Sequence, residues 1–394
     1  MGAEVGSEFL VFDSGYAQTP RVGVDAEGRS YFVFTNIQPS PNVVQWISYD
    51  AQETALTAVA NLSTTTSIQE APDIAVRADG SFYAIWRSDE DAGGQLRGRY
   101  YDVDGGFDPS DALVNDLPDP VINGLETGGV AVLEAGGFVA VWESNQTHLV
   151  GEDVDNTEIQ GQFVSDEGAV AGSNQFQVNL LTTHLWQGLP DVAPVSDGGF
   201  FAVWEDYKTT GYEIKGRRFE ADGTPVGAEI QIDTTTTGGQ HDARVAANDK
   251  GEFLVVWTTG EVPVRIRGRM YDANVVPVGD DFLISSRTDV KQQKPDVGGG
   301  VKQFVVAWER EEEDWDILAR IVKGRNSFDG SAFQVNTYDP PKSRHQEVGV
   351  GTYGNRAIVT WKGRFSESSG INSIGARTIY FCGIFCDGFE GGEP

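Results

Sequence analysis

Hydrophobic residues along this chain form short runs that turn residues interrupt. In the segment 190–205, an apolar run at Val192–Val195 is followed by Asp-Gly-Gly at 197–199 and then by a second apolar run, Phe200–Trp204. Glycine tolerates the positive φ that a tight turn needs, and aromatic and β-branched residues favour strands. The pattern predicts a β-hairpin whose second strand is buried on both faces.

The same hairpin pattern recurs along the whole chain. The second predicted strand of each copy ends at an aromatic anchor, and these anchors are Phe34, Trp86, Trp142, Trp204, Trp257, Trp308 and Trp361. Their numbers place them 51 to 62 residues apart. A nearly fixed period of this length is typical of a repeat architecture.

Each copy continues beyond the hairpin. A third run has the form Ile/Leu-x-Gly/Ala-Arg/Gln, as at 214–217, and most copies have a fourth, such as Phe-Gln-Val-Asn at 176–179. Four antiparallel strands repeated seven times, without helical periodicity between them, predict an all-β fold, a seven-bladed β-propeller with four-stranded blades.

The ends of the repeat region predict how the ring closes. The seventh copy has no convincing fourth strand, whereas Glu8–Phe12 forms an isolated apolar run before the first copy. We expect this run to complete the last blade and so remove an exposed sheet edge. The predicted organisation is a single propeller domain over 1–394, with a closing strand at 8–12, seven blades over 13–381 and a tail at 382–394.

Charge narrows the choice of partners. The chain has 59 acidic and 29 basic residues, a formal net charge of −30 and a pI near 4.3. Nucleic acid and anionic membranes attract basic surfaces, so we expect neither as a partner. Without an apolar run of membrane-spanning length we also expect no membrane insertion, and we expect a monomer. The acidic surface either serves solubility or attracts cations.

One acidic loop suggests a cation site. The long connection in the third copy contains Asp153, Asp155, Asn156 and Glu158 within a few residues. Alternating carboxylate and amide oxygens suit Ca²⁺, which takes six or more oxygen ligands. The alternative is a solvated acidic loop, because the glycine and terminal glutamate of an EF-hand are missing.

Histidines and tryptophans supply the candidate ligand site. His184, His241 and His345 lie in the connections that lead into the fourth, fifth and seventh blades, near the predicted mouth of the channel. Trp186 and Trp315 lie outside the anchor series, in loops predicted for the variable face. A flat ring beside amides and carboxylates can stack on a sugar. The alternatives are packing within the loops for the tryptophans and a structural role for the histidines.

Arginine recurs once per blade, at Arg99, Arg217, Arg269, Arg320 and Arg377. We expect these side chains to brace the blades, by pairing with a carboxylate such as Glu205 or Glu309 or by stacking on a tryptophan. The nucleophile elbow, the P-loop and the dinucleotide fingerprint are absent from the sequence. Paired carboxylates of a glycosidase depend on spatial separation and stay open.

Two resemblances concern location. The repeat unit, as in Gln187–Trp204 and Ile214–Phe219, resembles repeats of large secreted or surface proteins of bacteria, which implies extracellular placement and adhesion or ligand display. The tail Ile384–Glu390 looks like a terminal motif of exported proteobacterial proteins. For the two cysteines of the region 382–394, Cys382 and Cys386, we expect a local disulfide, with free thiols as the alternative.

Together these patterns predict a secreted binding or adhesion module for carbohydrate or a cell-surface glycan. The ligand is expected on the face built by the inter-blade connections and the long third and seventh loops, because rigid scaffolds display function on variable loops. The alternatives are an extracellular glycoside hydrolase or lyase with carboxylates at the channel mouth, and a scaffold without a small ligand.

Overall fold

A computed structural model describes most of the chain. The described residues are 4–38, 40–90, 94–103, 111–115, 128–144, 157–170, 175–180, 186–208, 211–235, 238–287, 289–337, 344–365 and 372–381. All regular structure within them is β-strand. In this part of the chain, a helix of the length and apolar character required to cross a membrane is not found.

The first half of the chain forms a leading strand and three blades. In chain order the strands are β1 (Glu4–Phe12), β2 (Ala17–Val24), β3 (Ser30–Asn36), β4 (Val43–Tyr49), β5 (Ala60–Asn61), β6 (Gln69–Val76), β7 (Phe82–Ser88), β8 (Gln95–Tyr101), β9 (Ala112–Leu113), β10 (Gly128–Val132), β11 (Phe138–Ser144), β12 (Glu158–Val164) and β13 (Phe176–Gln177). The fourth strands of these three blades span only two residues each.

The second half forms four blades. Its strands are β14 (Trp186–Pro194), β15 (Phe200–Lys208), β16 (Gly211–Phe219), β17 (Pro225–Gln231), β18 (Gln240–Ala247), β19 (Phe253–Thr259), β20 (Arg265–Tyr271), β21 (Phe282–Leu283), β22 (Lys291–Gly299), β23 (Phe304–Glu311), β24 (Trp315–Gly324), β25 (Ser327–Phe328), β26 (Phe333–Gln334), β27 (Gln346–Tyr353), β28 (Arg356–Gly363) and β29 (Ser373–Tyr380).

These strands form seven antiparallel sheets, one for each predicted repeat, and the innermost strands contact one another in order around a ring. The predicted seven-bladed propeller is therefore confirmed. The outer edge of the sixth blade departs from the pattern, because β25 and β26 both pair with β24 at different points. Its fourth strand is thus broken into two short segments.

The leading strand closes the ring as predicted. Strand β1 pairs with β29, with Phe9 opposite Ala376 and Phe12 opposite Ile374. The Glu8 carboxylate accepts hydrogen bonds from the Thr337 N–H (2.5 Å) and hydroxyl (2.6 Å) of the preceding blade. Asp281, beside the fourth strand of the fifth blade, receives the Thr234 N–H of its preceding blade in the same way (2.8 Å). Strand β1 therefore has the position and the inter-blade contacts of a fourth strand.

The seven aromatic anchors form the core between blades, and all of them are fully buried. The indole N–H of Trp257 donates to Gln240 Oε1 at 3.0 Å, and Trp308 bonds Gln292 in the same way. The indole nitrogens of the other four tryptophan anchors have no partner among the described residues. The first blade has Phe34 at this place, so a ring without an N–H also fits.

This difference predicts unequal costs for two matched substitutions. Trp204→Phe and Trp308→Phe remove the same atoms from a buried site, but only the second removes the donor to a buried amide oxygen, that of Gln292. A buried polar atom that loses its partner costs about 1 to 3 kcal/mol. Urea unfolding should show Trp308→Phe to be less stable than Trp204→Phe by about that amount; equal losses would contradict the assignment.

A second repeated feature fastens each innermost strand to the blade before it. Six of these strands bulge at a residue with positive φ, between 47° and 58°: Thr19, Ala71, Leu189, Asp242, Lys294 and Glu347. At five of these bulges the N–H donates to the side chain that follows the preceding blade's anchor, as Asp242 N–H does to Glu205 Oε1 (2.6 Å). At the seam between the seventh and first blades, Lys362 occupies the position after the anchor, and Thr19 N–H donates to Glu347 Oε2 instead (2.6 Å).

The repeated arginines brace the blades, but their partners differ from those predicted. Arg99, Arg269, Arg320 and Arg377 each donate to a backbone carbonyl at the end of the preceding blade, as Arg320 does to Ile284 O (2.7 Å). Glu205 and Glu309 are unavailable for this role because they hold bulged N–H groups. Glu205 and Glu309 are therefore not the partners, but Arg99 does pair with a neighbouring carboxylate, that of Asp111 (3.3 Å). Arg217 differs from the other four, because it donates to Gly227 O of its own blade (3.2 Å).

Candidate functional site

A cleft of about 450 Å³ opens on the face that carries the inter-blade connections. It lies where the fourth, fifth and sixth blades meet. Its lining includes Trp186, Tyr212, His241, Asp242, Lys291 and Gln293. Aromatic, amide and charged groups thus converge on one concave surface, as in most small-ligand sites.

Aromatic rings form one wall of this cleft. Trp186 begins β14, and its ring meets that of Tyr212 edge to face, with 5.8 Å between centroids. Tyr212 also contacts the rings of Tyr207 (4.6 Å) and His241 (4.5 Å). The Trp186 indole N–H donates to Glu143 Oε1 at 2.8 Å, which fixes the ring relative to the third blade. The wall is therefore held in place before any ligand arrives.

A buried carboxylate orients the histidine. Glu205 Oε2 lies 3.2 Å from His241 Nδ1, and the Glu205 side chain is 2% exposed whereas that of His241 is 37% exposed. The hydrogen bond that His241 donates to the Glu205 carboxylate raises the pKa of His241. Burial raises the pKa of Glu205, and His241 opposes that rise. The pair presents an imidazole that takes up a proton more readily than a free histidine does.

Lys291 connects Trp315 to this cleft. Its Nζ lies 5.5 Å from the centroid of the Trp315 ring, a cation–π distance, and Lys291 itself lines the cleft. Trp315 begins β24 and is partly buried. The Lys291 Nζ also lies 3.5 Å from Glu311 Oε2, and both side chains are 43% exposed.

His345 occupies a different place from His241. It is fully buried, and its Nε2 lies 3.1 Å from Arg364 O while its Nδ1 lies 3.1 Å from Trp315 O. These contacts join the sixth and seventh blades, so the ring has a structural position away from the cleft. His184 lies outside the described residues. The structure thus brings together Trp186 and His241, with Trp315 beside them.

The predicted calcium loop lies almost entirely outside the described residues, including Asp153, Asp155 and Asn156. Glu158 begins β12, where it is 8% exposed and accepts a hydrogen bond from Gln160 (3.2 Å). Within the described ranges, three His, Cys, Asp or Glu side chains do not come together as a metal site. Calcium binding by this loop stays a prediction.

The centre of the ring has charged groups that the sequence reasoning missed. Asp73, Asp191 and Asp296, with Arg21 and Arg244, line a channel cavity of about 130 Å³. Each aspartate accepts the N–H of a residue in the next blade: Val130 (2.9 Å), Val245 (2.8 Å) and Val350 (2.7 Å). A recurring Pro-Asp pair, at 72–73, 190–191 and 295–296, was the available signal.

Burial in this channel changes the acidity of its carboxylates. Desolvation raises the pKa of Asp191 to about 7, and Asp73 and Asp296 add to the rise while Arg244 opposes it. Desolvation raises the pKa of Asp73 as well. In the channel, Asp191 therefore keeps its proton at a pH well above the usual range for aspartate.

Comparison with known proteins identifies the fold. No protein-family model matches the chain, and no curated protein matches it in sequence. Among solved structures, a protein of unknown function from Dyadobacter fermentans aligns with a TM-score of 0.57 and 11% identity, covering 97% of this chain and 100% of that one.

Two similar structures were solved with a bound sugar or sugar analogue. An α-L-arabinofuranosidase from Fusarium graminearum, in complex with an iminosugar inhibitor, aligns with a TM-score of 0.56 and 11% identity over 95% of this chain and 98% of that one. An α-L-arabinanase from Penicillium chrysogenum, complexed with arabinobiose, aligns with a TM-score of 0.54 and 12% identity over 77% and 94%. At these identities the similarity shows the fold alone.

Proposed function

We propose that this protein binds carbohydrate in the cleft between the fourth, fifth and sixth blades. The observation that carries the proposal is the aromatic wall of Trp186 and Tyr212, which stands beside the hydrogen-bonding groups of His241 and Gln293. Sugars combine apolar ring faces with hydroxyl groups, so they suit a site that offers both flat rings and polar side chains.

Two further considerations support a carbohydrate ligand. The similar structures from Fusarium graminearum and Penicillium chrysogenum hold an iminosugar and arabinobiose on the same type of scaffold. The repeats resemble those of bacterial surface proteins, and extracellular placement with a role in adhesion is part of this proposal. The similar fold is a weaker argument for a carbohydrate ligand than the side chains that line the cleft, because one fold can have many functions.

A hydrolase is the second candidate, and one observation favours it. Glu143 and Glu205 hold the same position in neighbouring blades, and burial raises the pKa of Glu143 to about 7, a value suited to a general acid. However, Glu143 bonds Trp186 Nε1 and Leu189 N, while Glu205 bonds His241 and Asp242 N. Glu309 fills the same structural role in the sixth blade. Because these glutamates already make structural hydrogen bonds within the fold, the arrangement favours a binding site over a hydrolase.

Removing one ring should test the binding proposal. We expect Trp186→Ala to weaken glycan binding about fivefold or more, because loss of a stacked aromatic ring costs about 1 kcal/mol in addition to the apolar contact area that is lost. A glycan array with the unmodified protein identifies the oligosaccharide, and calorimetric titration measures its Kd for each variant.

Tyr353→Ala is the matched control, because this exposed ring ends β27 at a hairpin turn on the opposite face. We expect it to leave the Kd unchanged. Binding that survives Trp186→Ala in a protein of normal melting temperature would count against this cleft. Release of new reducing ends, abolished by Glu143→Gln, would favour the hydrolase instead.

A further inference from the structure

The cleft differs in charge from the rest of the molecule. The chain as a whole has a formal net charge of −30, yet two of the side chains that line the cleft, His241 and Lys291, are basic. Their side chains are 37% and 43% exposed, so both reach solvent at the cleft surface. Exposed basic groups concentrated in a concave site of an acidic protein mark a place where an anion is favoured.

The carboxylate nearest to His241 is directed into the protein. Glu205 is 2% exposed, and its two oxygens receive the Asp242 N–H and face His241 Nδ1. Glu205 therefore stabilises the protonated form of His241 from the buried side of the ring, while both of its own oxygens are engaged within the protein. The remaining acid in the lining is Asp242, which belongs to the same strand as His241 and also borders the channel mouth.

Further basic groups lie at the adjoining channel mouth. A small hollow of about 50 Å³ shares Asp242 with the cleft; three basic residues, Arg21, Arg244 and Lys294, line it together with one further acid, Glu347. Lys294 is exposed, and it follows Gln293, a residue of the cleft lining. The basic surface thus extends from Lys291 along β22 towards the centre of the ring.

We propose that the cleft recognises an acidic sugar residue, whose anionic group binds to His241 and Lys291 while its ring lies against Trp186 and Tyr212. This inference rests on the proposed carbohydrate function and adds the chemical class of the sugar. A carboxylate or sulfate oxygen can accept hydrogen bonds from both cations, and such charge-assisted bonds are stronger than neutral ones.

Binding should also depend on pH through His241. The charged or titratable groups around its ring are Glu205 on β15, Tyr212 on β16, Asp242 on its own strand and Lys291 on β22. Because Glu205 raises the pKa of His241, the imidazolium persists to a higher pH than in a free histidine. Affinity for a carboxylate sugar is therefore greatest above about pH 4, where the sugar carboxyl is ionised, and falls as pH rises through the pKa of His241.

The test compares sugars that differ in charge alone. Calorimetric titration would use de-esterified oligogalacturonide, the same oligomer fully methyl-esterified, and a sulfated oligosaccharide, each at about pH 5.5 and about pH 8.5, because the pKa of His241 is raised above the ordinary histidine value of about 6.5. We expect the acidic oligomer to bind at least tenfold more tightly than its ester at the lower pH, since hydrogen bonds to charged groups contribute about 1.5 to 3 kcal/mol. The sulfated arm distinguishes recognition of a carboxylate from recognition of any anion.

Three variants assign the effect to the cleft. Lys291→Met should reduce the preference for the acidic oligomer about tenfold, whereas Lys250→Met, the same change in an exposed turn on the opposite face, should not. His241→Gln should remove the difference between the two pH values while keeping a donor towards Glu205. Melting temperatures check that each variant is folded.

The outcomes separate this inference from the proposed function. A charge preference that Lys291→Met and His241→Gln both reduce supports an acidic sugar. Equal binding of the acidic and esterified oligomers, lost in Trp186→Ala, overturns the charge preference and keeps the carbohydrate function. Absence of binding to these oligomers and to every glycan on the array overturns both.

Discussion

A protein that lacks residues 1–12 is expected not to form the native ring at about 25 °C. Strand β1 contributes Val11, 4% exposed, to the core between the last and first blades, and Phe9 and Phe12 pack against it. Burying Val11 fully and the two phenylalanines in part stabilises the fold by about 3 to 6 kcal/mol, which is a large share of the whole stability of a domain. Circular dichroism and thermal unfolding would show the loss, and the exposed edge of β29 should promote aggregation.

Two controls make this result specific to the closing strand. A protein lacking only residues 1–3 should unfold at the normal temperature, because the pairing with β29 begins at Glu4. A synthetic peptide of residues 4–13, added to the longer truncation, should restore native unfolding behaviour. A protein without residues 1–12 that keeps its melting temperature would contradict the structural role of β1.

The substitution Asp191→Asn should make the protein more stable at neutral pH. Unfolded aspartate loses its proton near pH 4, but folded Asp191 keeps it to about pH 7 because burial raises its pKa. Since the unfolded state releases its proton first, stability falls as pH rises from about 4 to about 7 and is then constant. A pKa difference of about three corresponds to about 4 kcal/mol, and water access to the channel reduces this to about 1 to 2 kcal/mol.

The amide oxygen that this substitution introduces could still accept the Val245 N–H, so the change mainly removes the titrating group. Urea unfolding at about pH 4 and about pH 8 should therefore show a gain at the higher pH and little change at the lower one. Asp222→Asn is the opposing control, because Thr224 lowers the pKa of this exposed carboxyl and its loss should slightly weaken the fold at the higher pH. A gain of equal size at both pH values would exclude titration of Asp191 as the cause.

The fold could be predicted because each repeat carries the same sequence signals for turns and strands. A turn sequence, an aromatic anchor and two flanking apolar runs recur at a fixed spacing, and burial on both faces leaves one arrangement of the sheets. Even the closing strand was predictable, since Glu8–Phe12 matches the strand that the seventh copy lacks. The split fourth strand of the sixth blade was not, because β25 and β26 are each two residues long.

The candidate site was less predictable, because its members come from blades that are distant in sequence. Trp186 was identified because it lies outside the anchor series, and His241 because it lies in a connection near the predicted channel mouth. Tyr212 and Lys291 lie within regular strands and gave no local signal. His345 resembled His241 in position along its repeat. In the structure His345 is fully buried and contacts Trp315 O and Arg364 O, the latter in the long seventh loop, whereas His241 reaches solvent.

The hydrogen bonds between the bulged N–H groups and side chains of the preceding blade also affect how the number of blades in such a ring can change. Four consecutive junctions, from the third blade to the seventh, use the same kind of joint, with glutamate or threonine as acceptor. A gene duplication or deletion of one whole unit within this stretch would leave every joint chemically matched. The junction between the seventh and first blades, at Lys362 and Thr19, uses a different hydrogen bond and could not be exchanged in this way. Propellers with six or eight blades should therefore arise, by evolution or by engineering, from loss or gain of a blade in the middle of the chain.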